Sequence, residues 1–222
     1  MEDIDAIAVL QDPVRRRLYD YVAAQDHEVG RNEAAEGAGI QRTLAAFHLD
    51  KLVDAGLLET ESRRLSGRSG PGAGRPAKLY RRSGAEHQFS IPARDYRTAA
   101  DLLAEVAEVA RLDTELQDAA RREGRAAGRA AGPVEDLDAA AAVLAARGYE
   151  PRMDDEAGVL RMANCPFHAL SEAHPPLVCG MNLALLEGLL EGAEGAEGLR
   201  ARMDARPGLC CVVVTASKNN DC

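Results

Sequence analysis

The 222-residue sequence lacks a long hydrophobic run and a basic N-terminal stretch. Its longest apolar runs, 139–146 and 183–186, are far shorter than the roughly 20 residues that a membrane-spanning helix requires. A secretory signal peptide would begin with a positively charged region, whereas this chain begins with Met1, Glu2 and Asp3. We therefore expect a cytoplasmic protein without a membrane partner.

Cysteine is absent from the first two thirds of the chain. All five cysteines lie in the last third: Cys165, Cys179, Cys210, Cys211 and Cys222. A disulfide scaffold would distribute its cysteines through a short secreted chain, so this pattern argues against one. Clustered thiols in a reducing compartment indicate metal or redox chemistry instead.

Net positive charge is also lacking, since the formal charge at pH 7 is -9. An acidic total argues against a nucleic-acid partner, but binding depends on the local field rather than on the average. Residues 61–82 hold seven basic residues and one acidic residue, a local charge of +6. This segment is therefore a candidate for contact with DNA.

Three short helices are predicted before this basic segment. Asp12 and Pro13 are typical of a helix start, and apolar residues then recur at helical spacing until about Gln25. A second helix is predicted at 32–38 and a third at 41–55, with a glycine between them that suits a left-handed helix end. The third helix follows the second after a tight turn.

The third helix has one apolar face and one mixed face. The residues predicted to be buried are Ala45, His48, Leu49 and Leu52. On this face His48 is expected to be a structural histidine. Phe47, on the opposite face with Asp50, suits base edges and thymine methyl groups in a major groove. The predicted groove contacts are Gln41, Arg42, Thr43, Ala46, Phe47 and Lys51.

A basic hairpin is predicted after this helix. Residues 57–60 begin its first strand, residues 77–81 form its second strand, and a glycine-rich loop at 66–76 joins the two strands. Arginine beside glycine and proline suits a narrow minor groove, where the negative potential is enhanced. The predicted contacts are Arg63, Arg64, Arg68, Arg75 and Lys78. A hairpin tip that does not touch DNA is the alternative.

The order of two helices, a turn, an HLDKLVDAGLL helix and a GRPAKLY hairpin resembles the winged-helix regulators of the arsenical-repressor-like superfamily. The resemblance implies a winged helix-turn-helix domain that binds double-stranded DNA, which we assign to residues 1–90. The helix faces derived above agree with this fold.

Residues 91–132 are predicted to form one long helix or two. Their apolar stripe is too long for one small domain to cover: Ala99, Leu102, Leu103, Val106, Val109, Ala110, Leu112 and Leu116. A second copy of the chain is the predicted cover, and a homodimer would present two recognition helices to a palindromic operator. Packing against the chain's own C-terminal domain is the alternative. Residues 121–132 are predicted to be a frayed helix end and a basic linker.

Residues 133–222 are predicted to form a small α+β sensor domain, which makes the whole chain α+β. We expect a helix at 137–146, a hairpin of strands 149–153 and 159–163, a helix at 181–190 and a terminal strand at 209–215.

The cysteines of this domain are candidate metal ligands. Three thiolates and an imidazole suffice for tetrahedral zinc, whereas iron–sulfur clusters most often take four cysteines. The candidates are Cys165, His168, Cys179 and one of Cys210 and Cys211, since alternation along a strand lets only one of that pair face a site. A helix N-terminus at Cys179 would favour its thiolate. The spacing alone leaves buried structural cysteines as the alternative.

The segments NCPFHAL, HPPLVCGMNLALLEGLL and PGLCCVVV resemble the C-terminal half of the repressors of iron–sulfur-cluster assembly genes. The resemblance implies that Cys165, Cys179 and one of Cys210 and Cys211 hold a cluster that controls DNA binding. It also implies a further cysteine before the last pair, which this chain lacks. Either His168 or His174 replaces it, or zinc or no metal takes the place of the cluster.

These features together predict a homodimeric transcriptional repressor whose operator binding is controlled by a cluster or metal. A regulator that senses a small molecule, with structural zinc or no metal, is the alternative. A thiol-dependent enzyme using Cys165 and His168 is a remote alternative, because no third orienting residue accompanies the pair. We therefore expect no enzymatic activity.

Overall fold

The computed structural model describes residues 2–63 and 76–217. Contacts divide the chain into two compact units, Met1–Arg94 and Asp95–Cys222. The region 91–132, predicted to be separate, thus falls mainly within the second unit. In the part of the chain that the structure describes, no helix is long and apolar enough to cross a membrane.

The first unit contains the three predicted helices after one more at its start. In chain order the helices are α1 (Glu2–Val9), α2 (Pro13–Ala24), α3 (Arg31–Ala38) and α4 (Arg42–Asp54), of which α2, α3 and α4 were predicted. The Asp12 carboxylate caps α2, accepting from the backbone N–H of Val14 at 2.8 Å. Gly39 ends α3 in the left-handed conformation, with a φ of 65°. Both helix ends therefore follow from single residues of the sequence, as predicted.

A small antiparallel sheet completes the first unit. Its strands are β1 (Val29–Gly30), β2 (Leu58–Arg63) and β3 (Ala77–Arg82), in the order β1-β3-β2. The hairpin of β2 and β3, called the wing below, confirms the two strands of the predicted basic hairpin. The sequence analysis missed β1, because two residues are too few to show an alternating pattern.

The buried face of α4 is confirmed residue by residue. Ala45, Leu49 and Leu52 are fully buried, and His48 is buried beside them. They pack with apolar side chains of α2 and with Tyr80 of β3. Burial of this face fixes which side of α4 remains accessible.

The second unit begins with two helices rather than one. They are α5 (Tyr96–Ala110) and α6 (Asp113–Ala131). Arg111 separates them by adopting a left-handed conformation with a φ of 57°. The apolar stripe is thereby divided, and most of it lies on α5.

The residues 121–132 do not form a frayed linker, which corrects the prediction. Most of them belong to α6, which packs along α9 (Pro175–Gly192). A Cβ on Gly124 would lie 2.1 Å from the carbonyl oxygen of Leu185. Arg121 also pairs with Glu187 and with Glu191, the latter at 2.6 Å. The small and basic residues that looked like a linker are thus a packing surface and its ionic border.

The remaining elements form a four-stranded antiparallel sheet with helices. They are α7 (Leu137–Ala145), β4 (Pro151–Asp154), β5 (Val159–Met162), α8 (His168–Ala173), β6 (Leu199–Met203) and β7 (Val212–Ala216). The strand order is β4-β5-β7-β6, and apolar residues of α7 and α9 share one core with the sheet. Strand β6 was not predicted.

Two boundaries in this unit differ from the prediction in a way that affects the cysteines. Helix α9 begins at Pro175 instead of residue 181, so Cys179 lies beyond its first turn. Strand β7 begins at Val212 instead of residue 209, so Cys210 and Cys211 precede the strand.

Candidate nucleic-acid interface and thiol cluster

The outer face of α4 carries the predicted groove contacts. Gln41, which is the N-cap residue of the helix, Arg42, Thr43 and Lys51 are exposed, and Ala46 is half-buried. Phe47 is 56% exposed, which is unusual for so large an apolar side chain on a folded helix. The arrangement therefore fits a helix whose outer face meets a partner.

The sequence analysis missed Leu44 on this face. Leu44 is 42% exposed and lies one helical turn before Phe47. Its position three residues before Phe47 could have revealed it, because residues three apart share a helix face. Leu44 and Phe47 together give the face an apolar surface of the kind that contacts thymine methyl groups.

A concavity of about 810 Å³ joins this helix to the wing strands. It lies between α3, the start of α4 and the facing ends of β2 and β3. Its lining includes Arg42, Arg63 and Lys78, which were predicted as separate groups of DNA contacts. The structure thus brings three predicted contacts to one groove. Arg64, Arg68 and Arg75 lie outside the described residues.

Two basic side chains of the wing strands are paired with carboxylates. Lys78 Nζ lies 2.7 Å from Asp50 Oδ1, and Arg63 lies 2.7 Å from Glu28. These acids come from other elements, so a count of charges over 61–82 omits them. The Arg63 side chain is 55% exposed in its pair, so phosphate can compete for this arginine.

Asp50 connects α4 with the wing, although it was predicted to lie on the face that meets the major groove of DNA. Its carboxylate accepts from Lys78 and, at 3.0 Å, from the hydroxyl of Tyr80. Arg31 of α3 donates to the same hydroxyl at 2.9 Å. Partial burial opposes ionisation of Asp50, but the hydrogen bonds from Lys78 and Tyr80 outweigh it and lower the pKa of the carboxyl. This network holds the wing in a fixed position relative to α4.

The second unit gathers four cysteine thiols from three segments. Cys165 follows β5, Cys179 belongs to α9, and Cys210 and Cys211 precede β7. Asn182 Nδ2 lies 3.3 Å from Cys210 Sγ and 4.0 Å from Cys165 Sγ. Electrostatic interactions also link Cys210 with Cys165 and Cys211, and Cys211 with Cys179. The strand alternation predicted for Cys210 and Cys211 is wrong, because neither residue lies in the regular strand.

Two polar side chains that the sequence analysis missed complete this thiol cluster of Cys165, Cys179, Cys210 and Cys211. Asn182 is fully buried, and its Nδ2 donates to Cys210 Sγ at 3.3 Å. Tyr149 donates its hydroxyl to Asn182 Oδ1 at 2.5 Å. A lone asparagine in the apolar stretch GMNLALL was the signal that could have identified the position.

The neighbouring thiols shift the pKa of Cys210 in the direction opposite to those of Cys165 and Cys211. Interaction with Cys165 and Cys211 outweighs burial and, with the Asn182 amide, lowers the pKa of Cys210. The pKa of the half-buried Cys165 is raised by its interaction with Cys210 and by partial burial. The pKa of Cys211 is raised for the same reasons. Negative charge in this group is therefore favoured at Cys210.

The two histidines that were predicted to complete a ligand set contact carboxylates instead. The His168 ring is 62% exposed and lies 3.6 Å from Glu172. His174 Nδ1 lies 2.8 Å from Glu108 Oε2. Cys165, the predicted nucleophile of the enzyme alternative, bonds with Cys210.

The donor set of the thiol cluster fits an iron–sulfur cluster by its chemistry. Four cysteines are the usual ligands of such clusters, and Cys165, Cys179, Cys210 and Cys211 supply four sulfurs from three segments of the second unit. Among residues 2–63 and 76–217, no group of three or more His, Cys, Asp and Glu side chains is already arranged to hold a metal ion.

Comparison with known families identifies the first unit. Residues 10–61 match a family model described as a helix-turn-helix domain, and the matched range contains α2, α3 and α4. The first unit accordingly contains a helix-turn-helix domain, which supports a DNA-binding regulator. No curated protein and no solved structure matches the chain.

Proposed function

We propose that this protein is a winged-helix transcriptional repressor that binds its operator as a homodimer and responds to an iron–sulfur cluster held by its thiol cluster. The observation that carries the proposal is the assembly of four thiols in the second unit of a chain whose first unit is a helix-turn-helix domain. Four buried or half-buried cysteines that lie close together, with negative charge favoured at one of them, are a chemically reactive group, and a regulator gives that group a function.

In the proposed complex, α4 enters the major groove. Phe47 and Leu44 contact thymine methyl groups, while Arg42 and Thr43 approach base edges. The groove between α4 and the wing strands follows the phosphate backbone, where Arg63 exchanges Glu28 for a phosphate oxygen. Sequence discrimination then depends on α4, and the salt dependence of binding depends on the wing.

The exposed stripe on α5 supports the homodimer. Leu102, Leu103, Val106 and Val109 are between 58% and 82% exposed and recur at helical spacing. A contiguous apolar stripe of this kind marks an interaction surface. A second copy of the chain satisfies it symmetrically and places two recognition helices on a palindromic operator, where the dimer excludes polymerase.

The cysteines of the thiol cluster would hold the iron–sulfur cluster, which supplies one-electron redox chemistry when bound. The chain's own contribution is to exclude water, to direct N–H groups at the sulfurs and to tie three segments of the second unit together. Gain or loss of these ties changes the stability of the second unit. We infer that this change is what alters operator binding.

Operator binding with and without the cluster tests the proposal. A duplex selected from a random library by the reconstituted protein is titrated by fluorescence anisotropy under anaerobic conditions. We expect the affinity to change at least about tenfold, or about 1.4 kcal/mol, on removal of iron. Cys165→Ser and Cys179→Ser should abolish this difference, whereas Cys222→Ser, a cysteine beyond the described residues, serves as the control for cysteine replacement in general. Equal affinities for all proteins, with and without iron, would show that the cluster does not control binding.

A second candidate function is a small-molecule sensor. A concavity of about 520 Å³ in the second unit has the size of a ligand site, with Leu190 and Leu199 among its apolar lining. Three of its charged lining residues, Arg121, Glu187 and Glu191, are already paired with one another. Iron and sulfide analysis of anaerobically purified protein separates the two candidates, since this one requires neither.

A further inference from the structure

Asn182 occupies an unusual position on α9. It is fully buried, whereas the other buried residues of this helix are apolar or glycine. An amide in such a core is unfavourable unless both its oxygen and its nitrogen have hydrogen-bond partners. The partners of Asn182 should therefore explain why the position is polar.

Both ends of the amide have specific partners. Oδ1 accepts from the Tyr149 hydroxyl at 2.5 Å, and Nδ2 lies 3.3 Å from Cys210 Sγ and 4.0 Å from Cys165 Sγ. The amide NH₂ group can only donate, so Cys210 Sγ is the acceptor of this bond. The Tyr149 hydroxyl then donates to the oxygen and holds the amide in this orientation.

We propose that Asn182, oriented by Tyr149, is a positioning residue of the thiol cluster that fixes the Cys210 sulfur for the cofactor and stabilises its negative charge. The inference rests on the proposed function, because it assumes that the cysteines are ligands. Asn182 lies on α9, three residues after Cys179, so its amide connects this helix with the segment that carries Cys210.

This role gives two expected effects. Outer partners of metal ligands typically change metal affinity by about 10–100-fold when they are removed. Hydrogen bonds to cluster sulfurs also favour the more negatively charged reduced state, so their loss lowers the reduction potential. Tyr149 acts only through Asn182, so removal of its hydroxyl should have a smaller effect in the same direction.

The test uses the full chain, reconstituted anaerobically with ferrous iron and sulfide. Asn182→Leu keeps the approximate volume and removes the amide, Tyr149→Phe removes only the hydroxyl, and Leu186→Ala controls for general loss of core packing on the same helix. Two quantities are measured: the rate of iron loss to a chelator and the midpoint potential from redox titration.

For Asn182→Leu we expect iron loss to be about 10–100-fold faster. We also expect the midpoint potential to fall by about 59 mV for a one-electron couple. At a fixed ambient potential, the ratio of oxidised to reduced cluster then rises about tenfold. The double variant with Tyr149→Phe should add little to Asn182→Leu, because both remove one chain of hydrogen bonds. Leu186→Ala should leave the potential unchanged, although it lowers the thermal stability.

Two negative outcomes are distinct. If the wild-type protein holds a cluster and Asn182→Leu has the wild-type potential and rate of iron loss, the positioning role is refuted and the proposed function stands. If the wild-type protein takes up neither iron nor sulfide, the cluster-dependent part of the proposed function is refuted, and the role of Asn182 with it.

Discussion

The two units of this protein place their functional residues in opposite ways. In the first unit, the residues that are predicted to contact the major groove of DNA are consecutive or nearly consecutive residues of one helix, α4. In the second unit, the thiols come from a loop after β5, from α9 and from the segment before β7. The residues of the α4 face are therefore neighbours in the sequence, whereas the residues of the thiol cluster come together only when the chain folds.

This difference determines what each unit tolerates. An exposed residue of α4 can change without disturbing the core, because the opposite face of the helix supplies the packing. In the second unit, Cys210 and Cys211 belong both to the site and to the apolar cluster that stabilises it. A change to that site therefore affects stability as well as function.

The largest expected effect is a substitution at the glycine contact between α6 and α9. Gly124→Val introduces atoms where even a Cβ would lie 2.1 Å from the Leu185 carbonyl oxygen. We expect it to destabilise the second unit by about 3 kcal/mol or more, because backbone on both sides must move. Urea unfolding followed by circular dichroism measures the loss, and limited proteolysis identifies the unit that opens.

Gly198→Ala is the matched control for this prediction, since a Cβ at Gly198 meets no atom within 4 Å. It should change stability by less than about 0.5 kcal/mol. Simultaneous opening of both units in Gly124→Val would contradict the description of two separate units.

An intermediate effect is expected on DNA binding rather than on folding. Phe47→Ala removes a side chain that is 56% exposed, so stability should change by less than about 0.5 kcal/mol. Affinity for the selected duplex should fall by about 1–3 kcal/mol if Phe47 contacts bases. Anisotropy titration and thermal melting measure the two quantities.

Phe89→Ala is the corresponding control, because Phe89 is 48% exposed in the same unit but lies outside the helix-turn-helix. Its loss should leave affinity unchanged. A Phe47→Ala protein that melts early but binds normally would assign Phe47 to the structure of the unit instead.

The smallest effect is expected at the network between α4 and the wing. The Asp50 carboxylate is still 46% exposed, so solvent screening limits the cost of Asp50→Asn to about 1 kcal/mol at neutral pH. The pKa of Asp50 is lowered from its ordinary value of 3.8, so this stabilisation is present above that value. It is lost as the pH falls through the folded-state pKa.

Urea midpoints at neutral pH and well below pH 3.8 test this sign. The two proteins should differ at neutral pH and converge in acid. Asp54→Asn on the same helix is the control, because its carboxylate is 68% exposed and pairs with Lys51 at 3.5 Å. A larger effect at Asp54 than at Asp50 would remove the reason for treating the network as a brace of the wing.

The sequence was sufficient wherever a single residue type determines the local structure. The cap at Asp12, the left-handed end at Gly39 and the buried face of α4 all depend on neighbours within a few positions. The hairpin after α4 was predictable for the same reason. These features follow from backbone hydrogen bonding and from helical periodicity.

The sequence was insufficient where partners lie far apart along the chain. The pairing of Lys78 with Asp50 spans 28 residues, and the bond from Asn182 to Cys210 also spans 28. No local pattern indicates either contact. The prediction for Cys210 and Cys211 was wrong for a related reason, because it depended on a strand boundary that was misplaced by three residues.

The glycine contact between α6 and α9 also limits how such a chain can diverge. Gly124 and Gly128 face Gly188 and Gly192, so the two helices run in the same direction with matching four-residue spacings. Loops between them can gain or lose residues, but neither helix can shift by one position without placing a side chain between the backbones. Two pairs of glycines at this spacing are therefore a signature by which distant relatives of the second unit can be found, even where the cysteines have been replaced.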